Sequence, residues 1–327
     1  MHEVKAYEIL LEATTAVAHH SEVFGNHAVI ARRKVRLPSG EWAQVPAVSG
    51  DALRHGLREA AAYAFLDAAG MLDGGTLTEA ALRLLFSGGM VTGRGDAANI
   101  KLDDYRTMVD LVPPLALLGG CASNRIIPGR MVVEDAMLVC DESAHLLPAW
   151  IVTKAGQTAT ARSHIDVHQR VRMDATLDPG KRELLADIAT RQLEGKLRKS
   201  ETAHEDDNAI DREEAKSSMM PRTFEAVAAG SLLSWRVQAT CMSDLDVDTF
   251  HAMVGAFLGN ARVGGKRGTG FGLVRAIAAN EVTIRRPAAS MQAVDVTALG
   301  PRIGDLFRAH VRERAEKSRD FLKAVDA

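Results

Sequence analysis

The residue types best suited to hold a phosphate lie between positions 263 and 274, VGGKRGTGFGLV, with five glycines in twelve positions and the adjacent cations Lys266 and Arg267. Glycine permits positive φ and close backbone approach. Successive amides in such a turn can form an anion-binding nest, and lysine or arginine beside them suits a phosphate. Gly265, Lys266, Arg267 and Gly268 are therefore candidate phosphate ligands; the plain alternative is a tight turn with solvated cations. Two familiar glycine loops do not fit. A P-loop has Ser or Thr after its Gly-Lys, where this chain has Arg267. A dinucleotide fingerprint runs from strand to helix, whereas this loop follows a helix-like segment and leads into a strand-like one, Phe271 to Ile277.

A second candidate opens at Ser49-Gly50-Asp51. Ser49 or Asp51 can cap a helix there, with Leu53, Leu57, Ala60, Ala61 and Ala64 as its apolar stripe. Arg54 and Arg58, four apart, share a face away from that stripe. A helix start preceded by Ser-Gly, with arginines in its first two turns, suits an anion; the alternative is an amphipathic helix with exposed arginines. Further cationic clusters are Arg32, Arg33, Lys34 and Arg36, and Arg162, Arg170 and Arg172 with His164 and His168. Such patches bind phosphates even when the net charge is near zero, here −2, although many are only solvated surface.

Metal sites are not expected. His164 and His168 could share a metal on a helix, but no third ligand is evident. Asp244, Asp246 and Asp248 alternate as in a calcium loop, yet Thr249 stands at the sixth position and Gly255 at the twelfth, so they read as caps of the next helix. No cofactor is expected. The isolated cysteines Cys121, Cys140 and Cys241 make no disulfide framework, which favours a reducing, cytoplasmic setting. No apolar run is long enough to span a membrane, and MHEVKAYEI lacks a signal-peptide layout.

The elements that must position these residues follow from periodicity. Residues 3–18 alternate, with Tyr7, Ile9, Leu11 and Ala13 on one side of a half-buried strand. A hairpin is expected up to residue 48, then the helix from Ser49. A short helix (Thr78 to Phe86) and glycine-rich pieces fill 70–130, and Met131 to Cys140 reads as a strand. Leu177 to Leu197 reads as a helix and 198–218 as mobile, with 158–222 projecting from the body. Leu233, Trp235, Val237, Ala239 and Cys241 mark the clearest strand. A helix with the stripe Val247, Phe250, Val254 and Phe257 follows, and 300–325 reads as one charged helix with Ile303, Leu306, Phe307 and His310 on one side. The order is that of an α+β chain with a ferredoxin-like βαββαβ core and large insertions, a sheet type often used for RNA.

At these positions the chain resembles the RAMP superfamily of CRISPR proteins. SGDALRHGLREA resembles its S-x-L-R-G-x-L-R element, GGKRGTGFG its glycine-rich loop, and FEAVAAGSLLSWRV the strand after the thumb of its backbone subunits, all in the family's order. The long chain and the thumb-like stretch 158–222 are most similar to the large backbone subunit, in the style of a type IV system, with type I and type III also open. The resemblance implies an RRM-like palm from 1–68 and 223–285, a finger-like helical insertion with a core strand at 69–157, a thumb at 158–222 and a C-terminal helical segment at 286–327. It implies a non-catalytic subunit that polymerises head-to-tail along crRNA and presents bases to target DNA or RNA. Its partners would be copies of itself and other effector subunits, with no membrane. Ser49, Gly50, Arg54, Arg58, Arg162, His164 and the loop Gly265 to Gly268 would lie on the RNA, and Met219 and Met220 beside Arg222 would wedge between bases. Met219 and Met220 read equally as core packing. The loop after the first strand holds His19, His20, Ser21 and Glu22 but no aspartate matching the type III catalytic residue, so no target cleavage is expected.

Two rival readings stand beside this one. One is a RAMP-type endoribonuclease that processes precursor crRNA, with His19 or His20 as general base on a 2′-hydroxyl. The other is an unrelated binding or structural protein whose glycine loop only turns a corner.

Overall fold

The computed structural model describes residues 3–74, 77–90, 98–122, 124–172, 220–285, 288–295 and 304–325. In chain order these form β1 (Glu3–Ala13), β2 (His20–Phe24), β3 (His27–Ile30), β4 (Arg32–Arg36), β5 (Trp42–Val48), α1 (Gly50–Ala68) and α2 (Glu79–Ser87). Next come β6 (Ala98–Asn99), α3 (Leu102–Leu111), α4 (Pro114–Leu118), β7 (Gly120–Ala122), β8 (Arg125–Ile127), β9 (Met131–Val133), β10 (Ala136–Leu138) and α5 (Ala149–Ala155). The chain continues with β11 (Ile165–Arg172), β12 (Met220–Val227), β13 (Leu232–Cys241), α6 (Asp244–Gly259), β14 (Val274–Arg285), β15 (Ala288–Val294), α7 (Asp305–Glu313) and α8 (Ala315–Ala324). The chain divides into two units, one of Met1–Ser21, Ile30–Asp166 and Ala226–Ala327, the other of Glu22–Val29 and Val167–Glu225.

The larger unit is built on a mixed α+β core. Its sheet has the order β15-β14-β1-β13-β10-β5-β4, with β9 also on β13, and its pairings are antiparallel. The connection β1-α1-β10 skips over β13, and β13-α6-β14 skips over β1, so the two βαβ units interleave. The expected faces are where alternation placed them: Leu233, Trp235, Val237, Ala239 and Cys241 are all buried. They pack with Tyr7, Ile9 and Leu11 under Leu53, Leu57 and Ala61 of α1 and Phe250, Val254 and Phe257 of α6. Each of these large side chains removes apolar surface from water at about 25 cal/mol per Å². β1 is not half-buried, however. Leu10 on its other face is also fully buried, packed with Val139 and Ile151 of α5.

The insertion after α1 packs on that helix's far side. Phe65 and Leu66 meet Leu84 and Leu85 of α2, Leu115 of α4, and Phe307, Val311 and Leu322 of the C-terminal helices. Thr78 caps α2, its hydroxyl accepting from Ala81 N at 3.1 Å.

Several expectations are corrected. The strand expected at 131–140 is two short ones, broken at Glu134-Asp135. The single helix expected at 300–325 is two, α7 and α8, and residues 288–294 form an edge strand rather than helix. Leu306, placed with Phe307 on one side, is exposed while Phe307 is buried. Ser243, not an aspartate, caps α6; Asp246 instead takes a bidentate ion pair from Arg130 at 2.7 and 3.0 Å. His164 closes a short 3-10 turn and His168 lies in β11, so neither sits on the helix a shared metal required. The expected helix at 177–197, the mobile stretch 198–218 and Ile303 lie outside the described residues.

The smaller unit carries a β-hairpin, β2 and β3, turning at Gly25 (φ +56°) and Asn26. β12 runs parallel to β3, pairing Thr223 with His27 and Phe224 with Ala28. His27 Nδ1 lies 2.8 Å from Thr223 Oγ1, and His168 stacks on Phe224 with centroids 5.3 Å apart. Among the described residues no helix is long and apolar enough to cross a membrane. Cys121, Cys140 and Cys241 are free thiols, and burial pushes Cys241 up to about 12, which makes it a poor nucleophile at neutral pH.

Candidate nucleic-acid interface

After β1 the chain bends through 14–19, and two distant segments attach there. Gly265 N–H donates to Ala18 O at 2.6 Å, and Ser49 N–H donates to His19 Nε2 at 3.2 Å. One dipeptide thus holds both the glycine loop and the start of α1. Arg267 adds a second tie, its Nη1 lying 3.4 Å from Glu59 Oε2 on α1 and its Nε donating to Gly264 O at 3.2 Å.

The loop has its shape because only glycine fits at two places. A side chain on Gly264 (φ +74°) would come within 2.6 Å of Ala18 O, and one on Gly272 (φ +83°) within 2.1 Å of Val263 O. Lys266 itself is left-handed at φ +57°, a conformation that costs a non-glycine residue on the order of 1 kcal/mol. A 3-10 turn, Arg267–Thr269, follows. Gly265, Lys266 and Gly268 are exposed, and Arg267 is half-buried by its tie to α1.

The start of α1 is more occupied than the sequence implies. Ser49 is the N-cap, its hydroxyl accepting from Ala52 N at 3.3 Å. Gly50 N–H donates to Asp135 Oδ1 at 2.7 Å, and Asp135 also pairs with Arg33. A side chain on Gly50 would strike Val133 O at 2.3 Å. The amide expected to meet a phosphate therefore already meets a carboxylate of this chain. Burial alone would push Asp135 up, but its bonds from Arg33 and Gly50 outweigh that and hold it below the usual carboxylate range. Burial, with Arg33 and His20 nearby, pushes His19 below the usual imidazole value. A neutral ring suits the acceptor role of its Nε2 toward Ser49.

Arg54 and Arg58 do not form an exposed face. Arg54 donates to Met131 O at 3.0 Å and Leu118 O at 2.7 Å; Arg58 donates to Gly119 O at 3.0 Å and Leu118 O at 3.2 Å. Arg58 is buried, and that burial, with Arg54 beside it, pushes its pKa down to about 10. The reason is α4, which ends at Leu118 and leaves carbonyls without helical partners. The two guanidinium groups serve those carbonyls, which corrects the expectation of solvent-facing arginines.

The other expected residues divide. His164 O accepts from Ala228 N at 2.8 Å, and Val227 bridges Val17, so His164 joins the same backbone network one residue from Ala18. Its Nδ1 lies 3.0 Å from Ser231 Oγ. Arg162 is exposed two residues earlier. Arg222 is exposed on β12 in the smaller unit, Met220 is the first residue of that strand, and Met219 lies outside the described residues. Asp135 and Glu59 were not foreseen. The only hint of Asp135 was the polar Glu134-Asp135 pair inside an otherwise apolar run.

The sheet face opposite α1 and α6 does not offer the open aromatic platform that RNA-binding sheets use. It is covered by α5, and Glu8 there accepts from Trp150 Nε1 at 2.8 Å. A cavity of about 340 Å³ on that side is bordered by Glu8, Glu134 and Asp135 against the single cation Arg236, a poor lining for phosphates.

No family model and no curated protein matches the sequence. Among solved structures, the chain is similar to one from a Type IV-B CRISPR Complex, with a TM-score of 0.51 and 16% identity, over 86% of this chain and 92% of that one. At that identity the likeness is one of fold.

Proposed function

We propose that this chain is a non-catalytic backbone subunit of a type IV CRISPR ribonucleoprotein, gripping the phosphates of crRNA between the glycine loop and the region of the α1 start. The carrying observation is that Ala18 and His19 tether both segments, so residues from opposite ends of the sequence share one surface. Two further features support it. The interleaved order β14-β1-β13-β10 under α1 and α6 is compatible with a ferredoxin-like, RRM-like palm. The similar solved chain is described as part of a CRISPR complex.

In this reading the exposed Gly265, Lys266 and Gly268, with Arg162, position the strand without reading its sequence. Ser49 and Gly50 shape the site through His19 and Asp135, and Arg54 and Arg58 brace α1 from within. Arg222, Met219 and Met220 act on bases from the thumb. Copies associate head-to-tail along the RNA, a heterologous contact that extends as a helical filament, and other effector subunits complete the particle. Target DNA or RNA pairs with the bases so presented. The endoribonuclease alternative would require His19 Nε2 to give up the hydrogen bond from Ser49 N–H before taking a 2′-hydroxyl proton.

The test is fluorescence anisotropy with a labelled single-stranded RNA, on chain freed of co-purified nucleic acid. Lys266→Glu is expected to weaken binding by about tenfold or more and to flatten the slope of log K against log salt by about one. RNA binding unaltered by this change, or absent from the wild type at low salt, removes the reading.

A further inference from the structure

We infer that the groove between α1 and α6, beside the glycine loop, is a binding site for a nucleotide, taking its base against apolar walls and its phosphate at the arginine end. The cavity has a volume of about 530 Å³, within the range of small-molecule sites. Ala60 and Ala64 of α1 line it with Ala256 and Phe257 of α6, and the three alanines leave it open. Gly56 does the same at one end: a side chain there would meet Phe257 at 2.8 Å and Arg267 Nη2 at 3.7 Å.

Polar groups converge on these walls. Arg267 is balanced by Glu59 at 3.4 Å. Arg262 also lines the groove and has no side-chain ion pair among the described residues; Glu59 and Asp67 balance the two arginines over the whole lining, and Arg262 is available to pair with an anion. Tyr63 is more than half exposed, and its ring is fixed edge-on against Phe86 at 5.1 Å. It presents a flat aromatic face to a base without first having to be ordered. Asp67 borders the groove two turns along α1 from Glu59, about 12 Å at 1.5 Å per residue, which is the span of a nucleotide. Its carboxylate, a nucleotide's length from Arg267, can accept from an exocyclic amino group of the base, such as N6 of adenine. A fatty or purely apolar ligand would leave Arg262 and Asp67 desolvated and unpaired, at a cost in affinity.

A nucleotide can come from the guide strand or from solution. That it belongs to a strand rests on the function proposed above; that the groove takes a nucleotide does not. The test uses saturation-transfer NMR on the full chain stripped of RNA, with AMP as probe and adenosine and inorganic phosphate as separate controls. AMP base protons should receive saturation from wild-type protein, and more strongly than those of adenosine. Ala64→Phe, which fills the groove, and Arg262→Glu should each weaken AMP by about tenfold. Tyr63→Ala, at an exposed position, gives the same reading should Ala64→Phe fail to fold. Lys266→Glu, outside the groove, should leave AMP unchanged while lowering RNA affinity, so the two claims fail separately. A 4-thiouridine RNA that crosslinks to Tyr63 or its neighbours assigns the nucleotide to the strand; AMP binding with crosslinks elsewhere assigns it to free nucleotide. No AMP saturation in wild type, saturation equal in all groove variants, or a groove shielded only by a second copy of the chain overturns the inference.

Discussion

Cations look alike in sequence whether they face a ligand or brace the protein, and substitutions at Arg58 and Lys266 test the two cases. Arg58 is buried on the carbonyls of Leu118 and Gly119, so truncating it leaves acceptors without donors. We expect Arg58→Ala to cost about 2–4 kcal/mol in urea unfolding. Lys266→Glu, at an exposed loop position, should leave the unfolding midpoint where it was while lowering RNA affinity. His19 adds a pH dependence. Its folded pKa lies below the ordinary 6.5, so the unfolded chain binds the extra proton more readily. Stability from this group is therefore intact above the unfolded value and declines as pH falls through it toward the lower folded value. His251 is displaced in the same direction, chiefly by burial, and contributes its own decline. Wild type should thus lose more stability between about pH 7.5 and about pH 5.5 than His19→Gln, which retains an acceptor for Ser49 but no titrating ring. Equal losses would detach His19 from the cap of α1.

At the level of elements, the glycine loop is defined by where a side chain cannot go. Gly272→Ala would place a methyl 2.1 Å from Val263 O in a left-handed backbone, so we expect a destabilised protein with weakened RNA binding although no cation has changed. Gly268 has open space around it, and Gly268→Ala should leave the melting temperature unchanged. Circular dichroism melts and anisotropy on the pair distinguish a shaped loop from a merely flexible one. Much of this scale was readable. The alternation of Leu233, Trp235, Val237, Ala239 and Cys241 gave β13, and the α1 cap was narrowed to Ser49 or Asp51, of which Ser49 is the cap, because period and capping are local properties. The arginine face was misread for a nonlocal reason: α4, whose end the arginines serve, is a five-residue helix too short to show a period. Asp135 was missed likewise, since a carboxylate that breaks a strand to reach a helix start shows only as poor alternation. β15, AASMQAV, carries no apolar period because it lies at the sheet edge with little buried on it.

Across the whole molecule the charge is nearly balanced, so the RNA affinity proposed here would have to come from local placement of cations. Binding should fall steeply with salt and vary little with RNA sequence; a titration in which scrambled and natural guides differ by more than about tenfold would point to base reading instead. The α+β class was legible because strand and helix periods alternate along the chain, whereas the covered sheet face was not, since α5 lies far along the chain from Leu10 of β1 and Ile277 of β14, against which it packs. The shared anchorage at Ala18 and His19 carries a mechanical corollary. A helix start and a turn drawn from opposite ends of the polypeptide hang on neighbouring peptide groups, so they should breathe as one. In deuterium the amides of Ser49 and Gly265 are expected to exchange in step, and loosening either should quicken the other.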